Sequence, residues 1–353
     1  MAVADQAVTA ETVEPTLEHT VSTQLLRIFA WTLVFMLFVF LINNYLTFWR
    51  DWPGLITIFG DLGLFGAAAP KTPLTPELLT LGWVQLFTYV LAFIGPIVYV
   101  AVNKHKTLRE DSKAMTDITA YIARAAFWAV LLVGLVDAVI SFLRVEEFLN
   151  GVVGEELGAK LGRSQFRGPY VHLPLILVGM VIAIFNKGLG FTWLTLLVVV
   201  AELQIVFSRF IFSYEQAYMG DLVRFWYGAL FLFASAYTLV EEGHVRVDVI
   251  YANFTKKTRG LVNAVGSIFL GASLCWVILT LGMMGKSNII NSPILSLEVS
   301  QSGFGMYVKY LMAGFLAVFA STMLIQFSSF MLSGVADYRG DPGGRKNDNE
   351  IIH

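Results

Sequence analysis

The chain has 353 residues, of which 56% are hydrophobic and only 14% are charged, with a net charge of −2 at pH 7. Its mean hydropathy of +0.68 excludes a water-soluble globular domain and indicates a helical membrane protein with several spans. No basic stripe suggests nucleic-acid binding, and the single cysteine, Cys275, excludes an intramolecular disulfide.

The first segment, residues 1–24, is polar and rather acidic, and it has no basic region before the first apolar run. This pattern is not that of a signal peptide, so we expect the first apolar run to remain as a helix. The segment is predicted to be a disordered cytoplasmic tail, and residues 336–353 are predicted to form a second one.

Eight apolar runs follow, and all but the short fourth run are close to the length of a transmembrane helix. The predicted spans are Leu25–Phe48, Glu77–Val102, Ile118–Leu143, Val171–Phe185, Leu189–Phe212, Leu222–Val240, Leu261–Gly285 and Phe304–Phe330. Lys and Arg are nearly twice as frequent in the loops on one side as in those on the other. The sequence therefore predicts an all-α integral membrane protein with both termini in the cytoplasm.

The external segment 144–168 is polar but carries apolar residues at helical spacing, from Phe148 to Leu161. This pattern predicts one amphipathic helix that lies at the membrane surface. It belongs to the first of two four-span units, 25–187 and 188–335. The two units share the same order of spans and loops, which fits either a parallel 4+4 repeat or the layout common to proteins with an even number of spans.

Charged residues within the spans are few, and Glu202 is the deepest of them. Arg209 lies two helical turns further along, and Asp221 and Arg224 are spaced to meet across one turn of the next span. We predict that these four residues form an intramembrane polar network. Glu202 either pairs with a neighbouring helix or lines a path for ions.

Asp137 and Arg144 in the third span repeat the seven-residue spacing of Glu202 and Arg209, and we predict that they pair near the outer surface. Arg124 lies close to the cytoplasmic end of the same span, where its side chain can reach the interface.

The densest cluster of ionisable groups follows the sixth span, where Glu242, His244, Arg246 and Asp248 alternate with Gly243 and valines. In an extended chain, this period of two places polar groups on one side and apolar groups on the other. An ordinary solvated turn also fits such a cluster.

This cluster and its surroundings resemble the small membrane subunit of tripartite ATP-independent periplasmic (TRAP) transporters, the DctQ-like family. The resemblance rests on Arg209-Phe210, Asp221, the run Ala234–Leu239, the signature Gly243–Val249, the basic turn Lys256–Arg259 and Glu298–Ser300. It covers about 189–335. The four spans of 25–187 are an extension beyond the usual four-span subunit, and Phe210 and Asp221 replace a common Tyr and Glu.

The resemblance implies a non-catalytic scaffold subunit in the bacterial inner membrane. Its partners would be a large DctM-like membrane subunit and a periplasmic solute-binding protein that delivers an organic anion. The coupling Na⁺ would bind to the large subunit, and this chain would carry no cofactor. Glu241, Glu242, His244, Arg246 and Asp248 would fix the cytoplasmic loop or contact the large subunit.

The alternative is a membrane subunit of a redox or proton-translocating complex, in which Glu202 would belong to a proton path. None of the five histidines lies in the middle of a span, so two opposed haem-binding pairs are excluded. The sequence shows no nucleotide-binding loop, zinc-ligand spacing or nucleophile elbow. These observations argue against an enzyme.

Overall fold

The computed structural model describes residues 20–188, 191–240, 251–300 and 304–343. Within these ranges every regular element is helical, and eight helices are long and apolar enough to span a membrane. They are α1 (Val21–Trp49), α2 (Pro76–Val102), α3 (Leu108–Val145), α4 (Ser164–Phe185), α5 (Thr192–Phe212), α6 (Ala217–Val240), α7 (Lys256–Met283) and α8 (Lys309–Arg339). The predicted all-α class with eight spans is confirmed.

Helices α3 and α8 extend furthest beyond their predicted spans. At the start of α3, Thr107 and Glu110 form a reciprocal capping box, in which each side chain accepts a hydrogen bond from the backbone N–H of the other. At the end of α8, Gly340 takes a left-handed conformation with φ of 80°, which terminates the helix after Arg339. Both extensions lie at the end that the charge distribution predicts to be cytoplasmic, hereafter the inner end.

Short helices occupy several of the connecting segments. They are Leu55–Asp61, Leu149–Val153, Glu155–Leu161, Asn291–Ser296 and the 3₁₀ turn Tyr251–Asn253. The prediction of one amphipathic helix over 144–168 is wrong, because Gly154 adopts a φ of 83° and separates the second and third of these short helices. A left-handed residue cannot continue a right-handed helix, so the apolar residues of this segment do not share one continuous face.

Helices α3 and α8 form the centre of the bundle. About 61% of the residues in the most apolar stretch of α8 are buried, against 11% in α5. Hydroxyl groups join α3 to α8: Ser112 Oγ lies 2.8 Å from Ser329 Oγ, and Thr116 Oγ1 lies 2.9 Å from the same atom. Small polar residues of this kind let helices approach closely and hydrogen-bond within a membrane.

A fully buried ion pair attaches α1 to the inner end of α3. Arg27 Nε donates to Asp111 Oδ2 over 2.6 Å, and neither side chain is exposed. Arg27 Nη2 also donates to the carbonyl of Asn103, and the Tyr99 hydroxyl donates to Asp111 Oδ1. The pair therefore fixes α1, the end of α2 and the start of α3 relative to one another.

Replacement of Asp111 by alanine should destabilise the fold by about 3–5 kcal/mol, because the Arg27 charge would stay buried without its partner. Asp117→Ala is the matched control, since Asp117 pairs with Lys113 on the exposed surface, where such a pair contributes about 0.3–0.5 kcal/mol. Thermal unfolding of both variants in detergent measures the difference. Equal melting temperatures for the two variants would contradict the assigned role of the Arg27–Asp111 pair.

Candidate functional site

A buried polar cluster joins three segments at the outer end of the bundle. We call Asp137, Arg167, His172, Tyr307 and Tyr310 the outer clamp. Asp137 on α3 accepts hydrogen bonds from Arg167 Nη1 at 2.8 Å, His172 Nε2 at 3.0 Å and the backbone N–H of Tyr307 at 2.7 Å. Asp137, Arg167 and His172 are fully buried. The clamp thus ties α3 and α4 to the start of α8.

The local backbone of α4 positions the clamp residues on that helix. Residues Gly168–His172 form a π-helical turn between two α-helical stretches. A π turn inserts one extra residue and so changes the face on which the following side chains lie. His172 ends this turn with its Nδ1 2.8 Å from the Tyr310 hydroxyl, while Arg167 Nε donates to the carbonyl of Leu161.

The predicted pair between Asp137 and Arg144 is wrong. Two helical turns separate them along α3, about 10 Å at 1.5 Å per residue, whereas Arg167 reaches Asp137 directly from α4. Arg144 instead donates to the Tyr307 hydroxyl and to the carbonyl of Gly305. Its guanidinium also lies 4.6 Å from the centre of the Tyr307 ring, a favourable cation–π distance.

A second contact at the outer end joins the loop after α3 to the loop after α5. The Tyr214 hydroxyl donates to a carboxylate oxygen of Glu146. Burial raises the pKa of Tyr214, and the adjacent Glu146 carboxylate raises it further, so the phenol stays protonated and keeps donating.

Asp221, one of the predicted site residues, anchors the segment that precedes α8. Its Oδ2 accepts a hydrogen bond from Ser300 Oγ at 3.2 Å and from the backbone N–H of Met306 at 3.0 Å. Arg224 lies 3.4 Å from its other oxygen, at the predicted spacing of one turn, and is largely exposed. Asp221 therefore pairs with Arg224 and also holds the segment before α8 through two hydrogen bonds.

Glu202 and Arg209 lie on the open side of α5. They alternate with Val199 and Val206 along one helical face, and we call these four residues the α5 stripe. All four are exposed. Arg209 lies 3.8 Å from Glu215, and no contact between described residues joins it to Glu202. Glu202 makes no hydrogen bond or ion pair within the described part of the chain, so it is a mid-span carboxylate on an uncovered surface.

The signature residues Glu241, Glu242, His244, Arg246 and Asp248 lie outside the described residues. The structure resumes directly after them at Tyr251, whose hydroxyl hydrogen-bonds to the side-chain amide of Asn263 on α7. The Arg259 guanidinium lies 5.5 Å from the Tyr251 ring centre. The segment that follows the signature is thus held against α7. Among the described residues, no group of three or more His, Cys, Asp or Glu side chains is placed to hold a metal ion.

A family model described as "Tripartite ATP-independent periplasmic transporters, DctQ component" matches residues 195–332. This segment is similar to the DctQ family over that range. The match begins in α5 and ends in α8, so it includes the last four spans and confirms the resemblance predicted from the sequence. Four apolar helices, α1 to α4, precede it. No curated protein and no solved structure matches the chain.

The outer clamp crosses the boundary of this match. Tyr307 and Tyr310 lie within the DctQ segment, whereas Asp137, Arg167 and His172 belong to the preceding helices. The DctQ family is a component of a transporter rather than an enzyme family, and the eight apolar helices make the chain a multi-pass membrane protein. In this protein, the DctQ segment shares a buried polar network with its extension.

Substitution of Arg167 by methionine should destabilise the fold by about 3–5 kcal/mol, because it removes the buried cation that faces Asp137. Arg163→Met is the matched control, since Arg163 is exposed and changes near a surface typically stay within about 0.5 kcal/mol. Melting temperatures in detergent distinguish the two. A stable Arg167→Met protein would mean that His172 and the Tyr307 N–H alone satisfy Asp137.

Proposed function

We propose that this chain is the small, non-catalytic membrane subunit of a TRAP-type secondary transporter, and that it acts as a scaffold for a large membrane subunit. The observation that carries the proposal is the DctQ match over residues 195–332. Two features of the structure support it. The core around α3 and α8 is closed and internally hydrogen-bonded, while the α5 stripe is open and carries an unsatisfied charge.

The α5 stripe is the surface that we assign to the large subunit. A carboxylate near the middle of a bilayer costs about 3 kcal/mol, and more where it faces lipid alone. A helix of another subunit that brings a hydrogen-bond donor or a cation to Glu202 would remove this cost. Val199 and Val206, which are 49% and 44% exposed, would pack against the same helix.

The remaining roles follow from the type of transporter. A periplasmic solute-binding protein would deliver an organic anion, and the large, DctM-like subunit would carry both the anion and the coupling Na⁺. This chain would hold no cofactor and would lie in the bacterial inner membrane. Glu241, Glu242, His244, Arg246 and Asp248 would then fix the cytoplasmic loop or bridge to the large subunit.

A membrane subunit of a redox or proton-translocating complex is the second candidate, and the position of Glu202 is the observation that favours it. A proton path needs a chain of groups within hydrogen-bonding reach of one another. The described contacts of α5 supply no such chain from Glu202, since Arg209 contacts Glu215 at the outer end instead.

The isolation of this chain from its native membrane in mild detergent tests the proposal directly. A co-isolated membrane protein with about a dozen spans, identified by mass, is the expected result. Co-isolation of haem-, flavin- or quinone-binding subunits instead would overturn it.

Glu202→Gln should leave uptake of the transported anion nearly unchanged, because an amide still hydrogen-bonds to a donor on the partner helix. If Glu202 carried protons, the same variant would abolish transport, since an amide cannot release and rebind a proton at this position. Uptake into cells that hold the complete transporter, with the anion identified from the co-isolated binding protein, provides the measurement.

A bulky residue on the α5 stripe should weaken assembly. Val199→Trp is expected to lower the amount of large subunit that co-purifies several-fold, because the indole would hold the two helices apart. Val98→Trp on α2 is the matched control, with 53% of its side chain exposed on a face outside the proposed interface. Equal co-purification by the two variants would place the large subunit elsewhere on the bundle.

A further inference from the structure

An apolar groove opens between the middle part of α3 and the inner ends of α4 and α5. It has a volume of about 350 Å³ and is lined almost entirely by apolar surface. The lining residues are Phe127, Trp128, Leu131, Asn186, Gly188, Trp193 and Leu197. The groove lies where the extension meets the DctQ segment, and neither the proposed scaffold role nor the family match assigns it a ligand.

The shape of the groove follows from close packing on one side and loose packing on the other. Gly179 on α4 lies so close to α3 that a side chain there would clash with the backbone of Trp128 and Ala129. Helix α5, in contrast, packs mainly on α6 and touches α3 little. The large side chains of Trp128 and Trp193 therefore stand in the gap between these helices without filling it.

A cation lies next to the inner end of this groove. Arg124 precedes Trp128 by four residues, so the two side chains share one face of α3, and Arg124 lies about 6 Å nearer the inner end. Its Nε is buried, yet it finds no hydrogen-bond partner among the described residues. Lys187, which is exposed, lies between the groove-lining residues Asn186 and Gly188.

We propose that this groove binds one anionic phospholipid, with an acyl chain along the aromatic wall and the phosphate at Arg124 and Lys187. The acyl chain, the headgroup boundary and the phosphate of the lipid would each contact protein groups of suitable polarity. The groove offers an apolar surface at membrane depth, the two tryptophans suit the boundary between acyl chain and headgroup, and the guanidinium binds phosphate through several N–H donors.

Native mass spectrometry of the full-length chain tests this proposal, after purification and incubation with equal amounts of phosphatidylglycerol and phosphatidylcholine. The wild type should retain one phosphatidylglycerol in preference to phosphatidylcholine. Arg124→Gln should reduce this retention about fivefold, the effect of about one cation near a lipid headgroup. Arg124→Lys should restore part of it.

Two further variants test whether the lipid binds in the groove or is held only by the overall positive charge of the inner end. Lys113→Gln removes a positive charge at the same inner end, on a residue that pairs with Asp117 outside the groove, and should retain the lipid as well as the wild type does. Leu131→Trp should lose the lipid although both cations remain, because the indole would fill the groove. Equal retention of both lipids by the wild type, or unchanged retention by Arg124→Gln or Leu131→Trp, would overturn the proposal.

Discussion

The bundle depends on the pairing of charges that the bilayer would otherwise penalise. Asp137 is the clearest case, because a fully buried carboxylate is stable only if cations and donors surround it, and its three donors come from two other segments of the chain. At the inner end, Arg27 and Asp111 form a fully buried ion pair that neutralises both charges. These two sites fix both ends of α3, and α3 in turn lies against the central helix α8.

The need to pair charges within the bilayer is also the reason that we assign a partner subunit to the surface around Glu202. Where the chain pairs its own charges, at Asp111 and Asp137, the charged side chains are fully buried between helices. Glu202 lies on the least buried of the spanning helices and has no pairing group among the described residues. The bundle satisfies Asp111 and Asp137 internally but leaves Glu202 uncovered, and the large subunit that we propose would cover it at α5. The DctQ match identifies the type of complex that would supply this neighbour.

The spans were predictable from the sequence because each is a long apolar run bounded by charged or aromatic residues, a signal that depends on no other part of the chain. The family could be recognised for a similar reason, since its signature is local. The partner of Asp137 could not be predicted, because Arg144 has the expected helical spacing while Arg167 lies in a separate segment. Arg167 reaches Asp137 because α4 packs against α3 and because the π turn at Gly168–His172 sets the orientation of this part of α4. Nothing in the sequence around His172 reveals that this histidine is buried against Asp137.

The outer clamp also bears on what the extension does for the DctQ segment. Helix α8 belongs to the family match, yet Ser112 and Thr116 on α3 hydrogen-bond to its Ser329, and the Asp137 carboxylate accepts from the backbone at its start. Removal of the extension would therefore expose polar groups of α8 to lipid. In this chain, the extension and the DctQ segment share hydrogen bonds through α3 and α8, and the open faces of the extension would add to the surface available to the proposed large subunit and to lipid.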